Sequence, residues 1–200
     1  MCTESRRSSN ETDKRIADFL HELGMLKKIE RTGYPFLGSG GESVADHSFR
    51  VAVIGHILSC LCGYEDPLRV VLMCLLHDVA EARTGDQNYV HKQYVSVDSD
   101  KAFRDATEGL PCSKLYREIW QEYCEGETLA AQIVSDADQL DLLVELKKEK
   151  DLRNPYADRW IEHLLKRLYT DEAKRLAKAI LETDWTSWWF DGHDSWWQKR

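Results

Sequence analysis

Apolar residues recur along this chain at intervals of three and four and almost never alternate, the period of helices that bury one face. From Thr12, a plausible N-cap, Ile16, Phe19, Leu20, Leu23 and Leu26 define a first helix that ends near Ile29. Ser43-Val44-Ala45-Asp46 reads as a capping box opening a second helix, whose stripe Val51, Ile54, Leu58 and Leu61 runs to Gly63. Asp66-Pro67 opens a third, with Leu68, Val71, Leu72, Leu75 and Leu76 as its buried face, broken by Thr84-Gly85-Asp86. Less regular helical sequence spans about 98–109, and Ser113 caps a helix through Tyr123. A long helix follows from about Thr128 to Asp151 on Leu129, Ile133, Ala137, Leu140 and Val144. Beyond Asn154-Pro155 come a helix over about 157–169 and one capped by Thr170 that runs past Leu181. Tyr94 to Val97 is the nearest approach to a strand and is short, so the expected fold is all-α, in one domain.

The third helix delivers an unusual end: Leu75-Leu76-His77-Asp78-Val79-Ala80-Glu81. Burying His77 beside Asp78 after so apolar a run is costly unless the pair binds something. On a continuous helix His77 and Glu81 share a face and Asp78 lies about 100° round. A divalent ion at that surface would take His77 and Asp78, with Glu81 one turn further on. His47, near the start of the second helix, and Asp138, between Ala137 and Leu140, are the candidates to complete the set. Asp136 and Asp141 are expected to point elsewhere around that helix and to be more easily solvated. Gly38-Ser39-Gly40-Gly41 lacks the Lys-Ser/Thr ending of a phosphate-cradling loop and reads as a mobile connector.

Composition narrows the partners. Two hundred residues suit one core. Twenty-seven basic against 35 acidic residues, a net charge of −8, leave no broad basic face for a nucleic-acid polymer but allow a small anionic substrate. The six cysteines form no CxxC pair, and no run approaches the ~18 apolar residues of a membrane span, so a cytoplasmic protein without a membrane partner is expected. Residues 1–11 read as a disordered leader without an apolar signal region, 12–184 as the folded domain, and 185–200 as a Trp-rich C-terminal extension. In that extension Trp185 to Phe190 are expected to prolong the last helix and pack on the core or on a sister subunit, while Trp196 and Trp197 lie beyond.

His47, His77-Asp78 and Asp138 together resemble the H…HD…D signature of the HD-domain metal-dependent phosphohydrolases. Glu42 to Ser48, His77-Asp78-x-x-Glu81 with Thr84-Gly85-Asp86, and Asp136-Ala137-Asp138 are similar to the 5′-deoxynucleotidase (YfbR-like) branch, over roughly residues 15–170. The resemblance implies a helical bundle with the metal site between its central helices, and an enzyme releasing phosphate from nucleoside 5′-monophosphates, 2′-deoxyribonucleotides first. It implies that His47, His77, Asp78 and Asp138 hold one divalent ion, without choosing among Mn, Co, Mg, Fe, Ni and Zn. Glu81 then handles the attacking water and Asp86 is a second acid assisting catalysis or contacting the sugar. Arg31, Tyr34 (where the family usually has tryptophan) and Lys92 contact the substrate. A homodimer is also implied. A single intervening histidine, His91, between Asp78 and Asp138 favours one metal over the two of other branches. The alternatives are a nucleotide-binding regulator or scaffold, and a hydrolase of another small phosphate ester.

Overall fold

The computed structural model describes residues 9–190 and Gly192. Its helices are α1 (Ser9–Leu23), α2 (Val44–Leu61), α3 (Pro67–Leu76), α4 (Glu81–Thr84), α5 (His91–Tyr94), α6 (Ser99–Thr107), α7 (Ser113–Glu125), α8 (Leu129–Asp151), α9 (Ala157–Leu165), α10 (Asp171–Glu182) and α11 (Ser187–Phe190). The described residues contain no strand, only one isolated antiparallel bridge between Glu30 and Ser43. The fold is all-α and forms one domain, as the periodicity predicts.

Its centre is the packing of α2, α3 and α8 on one another, with α7, α9 and α10 laid against α8. Val51, Leu58, Val70, Met73, Ile133, Leu140 and Leu143 meet there, all inaccessible to solvent. Gly55 lets α2 and α3 close in: a Cβ there would stand 2.6 Å from Cys74 Sγ. Most of the expected caps form, but Ser113 does not cap: it is the first residue of α7, and Cys112 before it makes no side-chain cap bond. Ser43 and Asp46 make the reciprocal capping box, Asp66 accepts from the Arg69 amide, and Thr128 and Thr170 cap α8 and α10.

Several expectations change. α1 begins at Ser9 rather than after Thr12, and residues 1–8 of the expected leader lie outside the described residues. The face assigned to α3 is partly out of phase: Leu76 is buried as expected, but Leu68 and Leu75 are exposed, whereas Val70, Met73 and Cys74 are buried. A helix apolar nearly all round carries no phase for a periodicity to find. α3 also stops at Leu76 instead of running to Thr84. From there Val79 bonds back to Leu76, Glu81 to Asp78 and Ala82 to Val79, a tighter i→i+3 winding that re-aims the segment before α4. α10 ends at Glu182, and Thr183 is extended, so Trp185 to Phe190 do not prolong it. Instead Asp184 accepts from Thr186, and the chain turns into the separate α11. Trp196 and Trp197 lie outside the described residues. α2 is long and apolar enough by composition to cross a membrane, with 18 residues at a mean hydropathy of 1.2. Its packing between α3 and α8 accounts for that apolarity.

Candidate active site

Helices α2, α3 and α8 each bring one edge to a common point. His47, in the first full turn of α2, is inaccessible, and its Nδ1 donates to Asp141 Oδ2 on α8 at 2.6 Å. His77 caps α3, and its Nδ1 donates to the Cys74 carbonyl at 2.6 Å. A carboxylate and a carbonyl can only accept, so each ring carries a proton on Nδ1, and both Nε2 atoms, free to ligate once they are unprotonated, face the same spot. There His47 Nε2 lies 3.2 Å from Asp138 Oδ1 and 3.6 Å from Asp78 Oδ2, and His77 Nε2 lies 3.1 Å from Asp78 Oδ2. Neither Nε2 makes a hydrogen bond although both are buried. Two orphaned imidazole nitrogens facing carboxylates are the donor set of a hard or borderline divalent ion. His47, His77 and Asp78 have ligand atoms mutually within 4.8 Å and can hold one. Asp138 adjoins this trio across His47.

The charges follow from the geometry. Burial would depress the His47 imidazolium, but its contacts with Asp138 and Asp141 outweigh burial and push it up to about 9. Burial would likewise raise Asp78 and Asp138, yet His77, His47 and Arg31 hold both below the usual carboxylate range. The Arg31 guanidinium spans the two, with Nη1 3.6 Å from Asp78 Oδ2 and Nη2 3.9 Å from Asp138 Oδ1. Glu81 differs from all of these. Its Oε2 is buried without a partner, and burial together with the charges of Asp78 and Asp86 pushes its carboxyl up to about 9. A poised acid with a vacant oxygen beside a metal set is the arrangement general acid–base chemistry requires.

A cavity of about 300 Å³ opens over this point. Arg31, Tyr34, His77, Asp78, Glu81, Asp86, Lys92 and Asp138 all line it, so these sequence-selected residues converge, while His47 lies buried behind Asp78 and Asp138. Two have further duties. Asp86 accepts from the Thr32 amide and from Thr32 Oγ1 (3.0 Å), tying the loop that carries Arg31 to the segment after α4. Tyr34 is buried, and its hydroxyl donates to Glu42 Oε1 at 2.8 Å, so its ring is what borders the cavity.

Sequence reasoning missed the network behind His47. Asp136 and Asp141, expected at the surface, are both inaccessible. Arg50 satisfies Asp141 through Nε, Glu145 through Nη1 (2.7 Å) and Glu42 through Nη2 (3.1 Å), a polar chain from the cavity wall at Tyr34 to the metal-facing imidazole. Asp136 instead accepts from the Tyr169 and Thr170 amides (2.7 and 2.9 Å) and the Thr170 hydroxyl (2.6 Å), fastening the start of α10 to α8. Arg50, three residues after His47 and so on the same face, was the available signal.

A family model described as HD domain matches residues 23–180. The 5′-deoxynucleotidase HDDC2 of Bos taurus is 29% identical over 147 residues, which are 70% of this chain and 71% of that protein. Among solved structures, the PH0347 protein of Pyrococcus horikoshii OT3 superposes with a TM-score of 0.68 at 27% identity, over 83% of this chain and 98% of the other. A predicted metal-dependent phosphohydrolase from Magnetospirillum magnetotacticum superposes with 0.63 at 25% identity, over 88% and 94%. With its HD pair, its orphaned imidazole nitrogens and this match over most of its length, the chain belongs to the HD domain family.

Proposed function

We propose that this protein is a metal-dependent phosphomonoesterase that hydrolyses 2′-deoxynucleoside 5′-monophosphates to a nucleoside and inorganic phosphate. The observation that carries the reading is Glu81, an acid with an unpartnered oxygen and a raised pKa, set between the HD pair and the cavity. His47, His77, Asp78 and Asp138 would hold one divalent ion, which when bound would polarise the phosphoryl group and acidify water. Glu81, once ionised, would take the proton of the attacking water and return it to the 5′-oxygen of the departing nucleoside. Arg31 and Lys92 neutralise the phosphate oxygens, and Asp86 sits on the cavity wall where the sugar enters. The relatives named 5′-deoxynucleotidase support the substrate class.

Protein stripped by a chelator and reloaded singly with Mn²⁺, Co²⁺, Mg²⁺ or Zn²⁺ is expected to release phosphate from deoxynucleoside 5′-monophosphates, faster than from the ribonucleotides, and not before reloading. Metal-loaded protein that binds nucleotides by calorimetry without releasing phosphate would instead be a nucleotide-binding regulator.

The homodimer and the cytoplasmic setting belong to the same proposal. On α2, Phe49, Val53, Ile57 and Leu61 form an exposed apolar stripe at four-residue spacing, continued by Leu68 and Leu75 of α3. A patch of this kind is commonly covered by a partner, here a second copy. Phe49→Glu is expected to halve the sedimenting mass while leaving the helical circular dichroism unchanged. The five cysteines among the described residues are free thiols, in keeping with a reducing compartment.

A further inference from the structure

The two imidazoles of the candidate metal set are held by different means. His77 Nδ1 donates to the Cys74 carbonyl, three residues back in its own helix, so α3 orients that ring by itself. His47 Nδ1 instead reaches across to Asp141 Oδ2 on α8, and both side chains are inaccessible. The His47 ring is therefore aimed only where α2 and α8 are packed together. Asp138, one turn before Asp141, approaches the other nitrogen, so α8 meets both nitrogens of one ring.

Asp141 is itself fixed. Its Oδ1 accepts from Arg50 Nε, and the same guanidinium donates to Glu145 Oε1 at 2.7 Å and to Glu42 Oε2 at 3.1 Å. His47 and Arg50, one turn apart on α2, thus face Asp141 and Glu145, one turn apart on α8. Two donors converge on Asp141, an imidazole N–H and a guanidinium N–H, and each needs an acceptor of its own. A carboxylate has one oxygen for each. A side-chain amide has a single acceptor oxygen and would leave one donor unmet. With Oδ1 taken by Arg50, Oδ2 is left for the imidazole.

We propose that Asp141 is a positioning residue of the metal set: it keeps the His47 proton on Nδ1, so that Nε2 is the nitrogen offered to a divalent ion, and Arg50 holds it in place. Both residues lie outside the HD signature. The role rests on the metal half of the function proposed above and not on the identity of the substrate, so it is read without turnover. Removing a partner that orients a histidine ligand in this way weakens metal binding about 10- to 100-fold.

Two substitutions of the same kind on the same helix test it, since Asp136 and Asp141 are both inaccessible carboxylates of α8. Asp136→Asn and Asp141→Asn are each expected to lower the melting temperature of the metal-free protein. Only Asp141→Asn weakens Zn²⁺ binding, by about 10- to 100-fold in chelator competition at one fixed pH. Arg50→Lys keeps the charge but cannot reach three carboxylates at once. The Arg50 side chain is 32% exposed, so this variant serves where Asp141→Asn does not fold, with Zn²⁺ weakened about tenfold. In the Zn²⁺-loaded parent, long-range proton–nitrogen NMR is expected to find the His47 proton on Nδ1. Parent-level Zn²⁺ affinity in Asp141→Asn, or in Arg50→Lys where only that variant folds, overturns the role, and so does a His47 proton on Nε2. Equal weakening by Asp136→Asn overturns it too, because the loss would then follow α8 as a whole. A parent that binds Zn²⁺ and releases no phosphate fails the nucleotidase reading alone, and the affinities still decide the role of Asp141. A parent that binds no Zn²⁺ overturns both.

Discussion

Replacing Glu81 with glutamine is expected to lower kcat by about 10²- to 10⁴-fold, the usual worth of a positioned acid–base group, while bound metal stays at the parent level. Asp78→Ala, which removes a candidate ligand, loses metal and turnover together. Metal analysis alongside phosphate release separates the two, and equal metal loss in both variants would contradict the division of roles. Stability moves the other way from activity at Glu81. No donor satisfies its Oε2, and its charge sits among Asp78 and Asp86. Its carboxyl is about 9 in the folded protein against 4.5 for the ordinary group, so between those values the folded state holds a proton the unfolded state has released. Stability then falls as pH rises through that window. Metal-free Glu81→Gln lacks this slope and is expected to overtake the metal-free parent in melting temperature as pH goes from 5 to 8.

The largest expected loss of stability falls on Asp136, far from any chemistry. Asp136→Ala removes the acceptor of three hydrogen bonds at the start of α10 and strands the Tyr169 and Thr170 amides. Charge-assisted bonds and orphaned amides of this kind cost about 3–5 kcal/mol together. For a chain of this size that lowers the melting temperature by roughly 6–20 °C. Asp136→Asn keeps an acceptor oxygen and is expected to lose less than half as much. Metal affinity should stay at the parent value in both variants, because Asp136 faces α10 and the ligand candidates face α2 and α3. A loss below about 1 kcal/mol for the alanine variant would show that water replaces the carboxylate.

Asp136, Asp138 and Asp141 also show what the sequence could and could not disclose. All three lie within six residues of one helix, and only their partners distinguish them: Tyr169 and Thr170 for the first, the HD pair and Arg31 for the second, His47 and Arg50 for the third. Those partners come from other elements, and no local pattern reports them. The burial of His77 beside Asp78 was legible for the opposite reason, since a histidine–carboxylate pair ending an apolar run has few other uses. The caps at Ser43, Asp66 and Thr170 were legible because they are local. The phase of α3 was not, because its apolar residues cover every face, and neither was the tightened winding after Leu76, which tertiary packing imposes on residues that could have stayed helical.

His77 performs two tasks with one ring: Nδ1 closes off a carbonyl in the last turn of α3, and Nε2 looks into the site. A descendant of this chain that abandoned hydrolysis would still need that helix end, and would keep the histidine for it. Glu81 has no such second employment. Among relatives of this protein, persistence of the HD pair therefore testifies to the architecture, and loss of the acid three residues after it is the earlier mark of a retired enzyme.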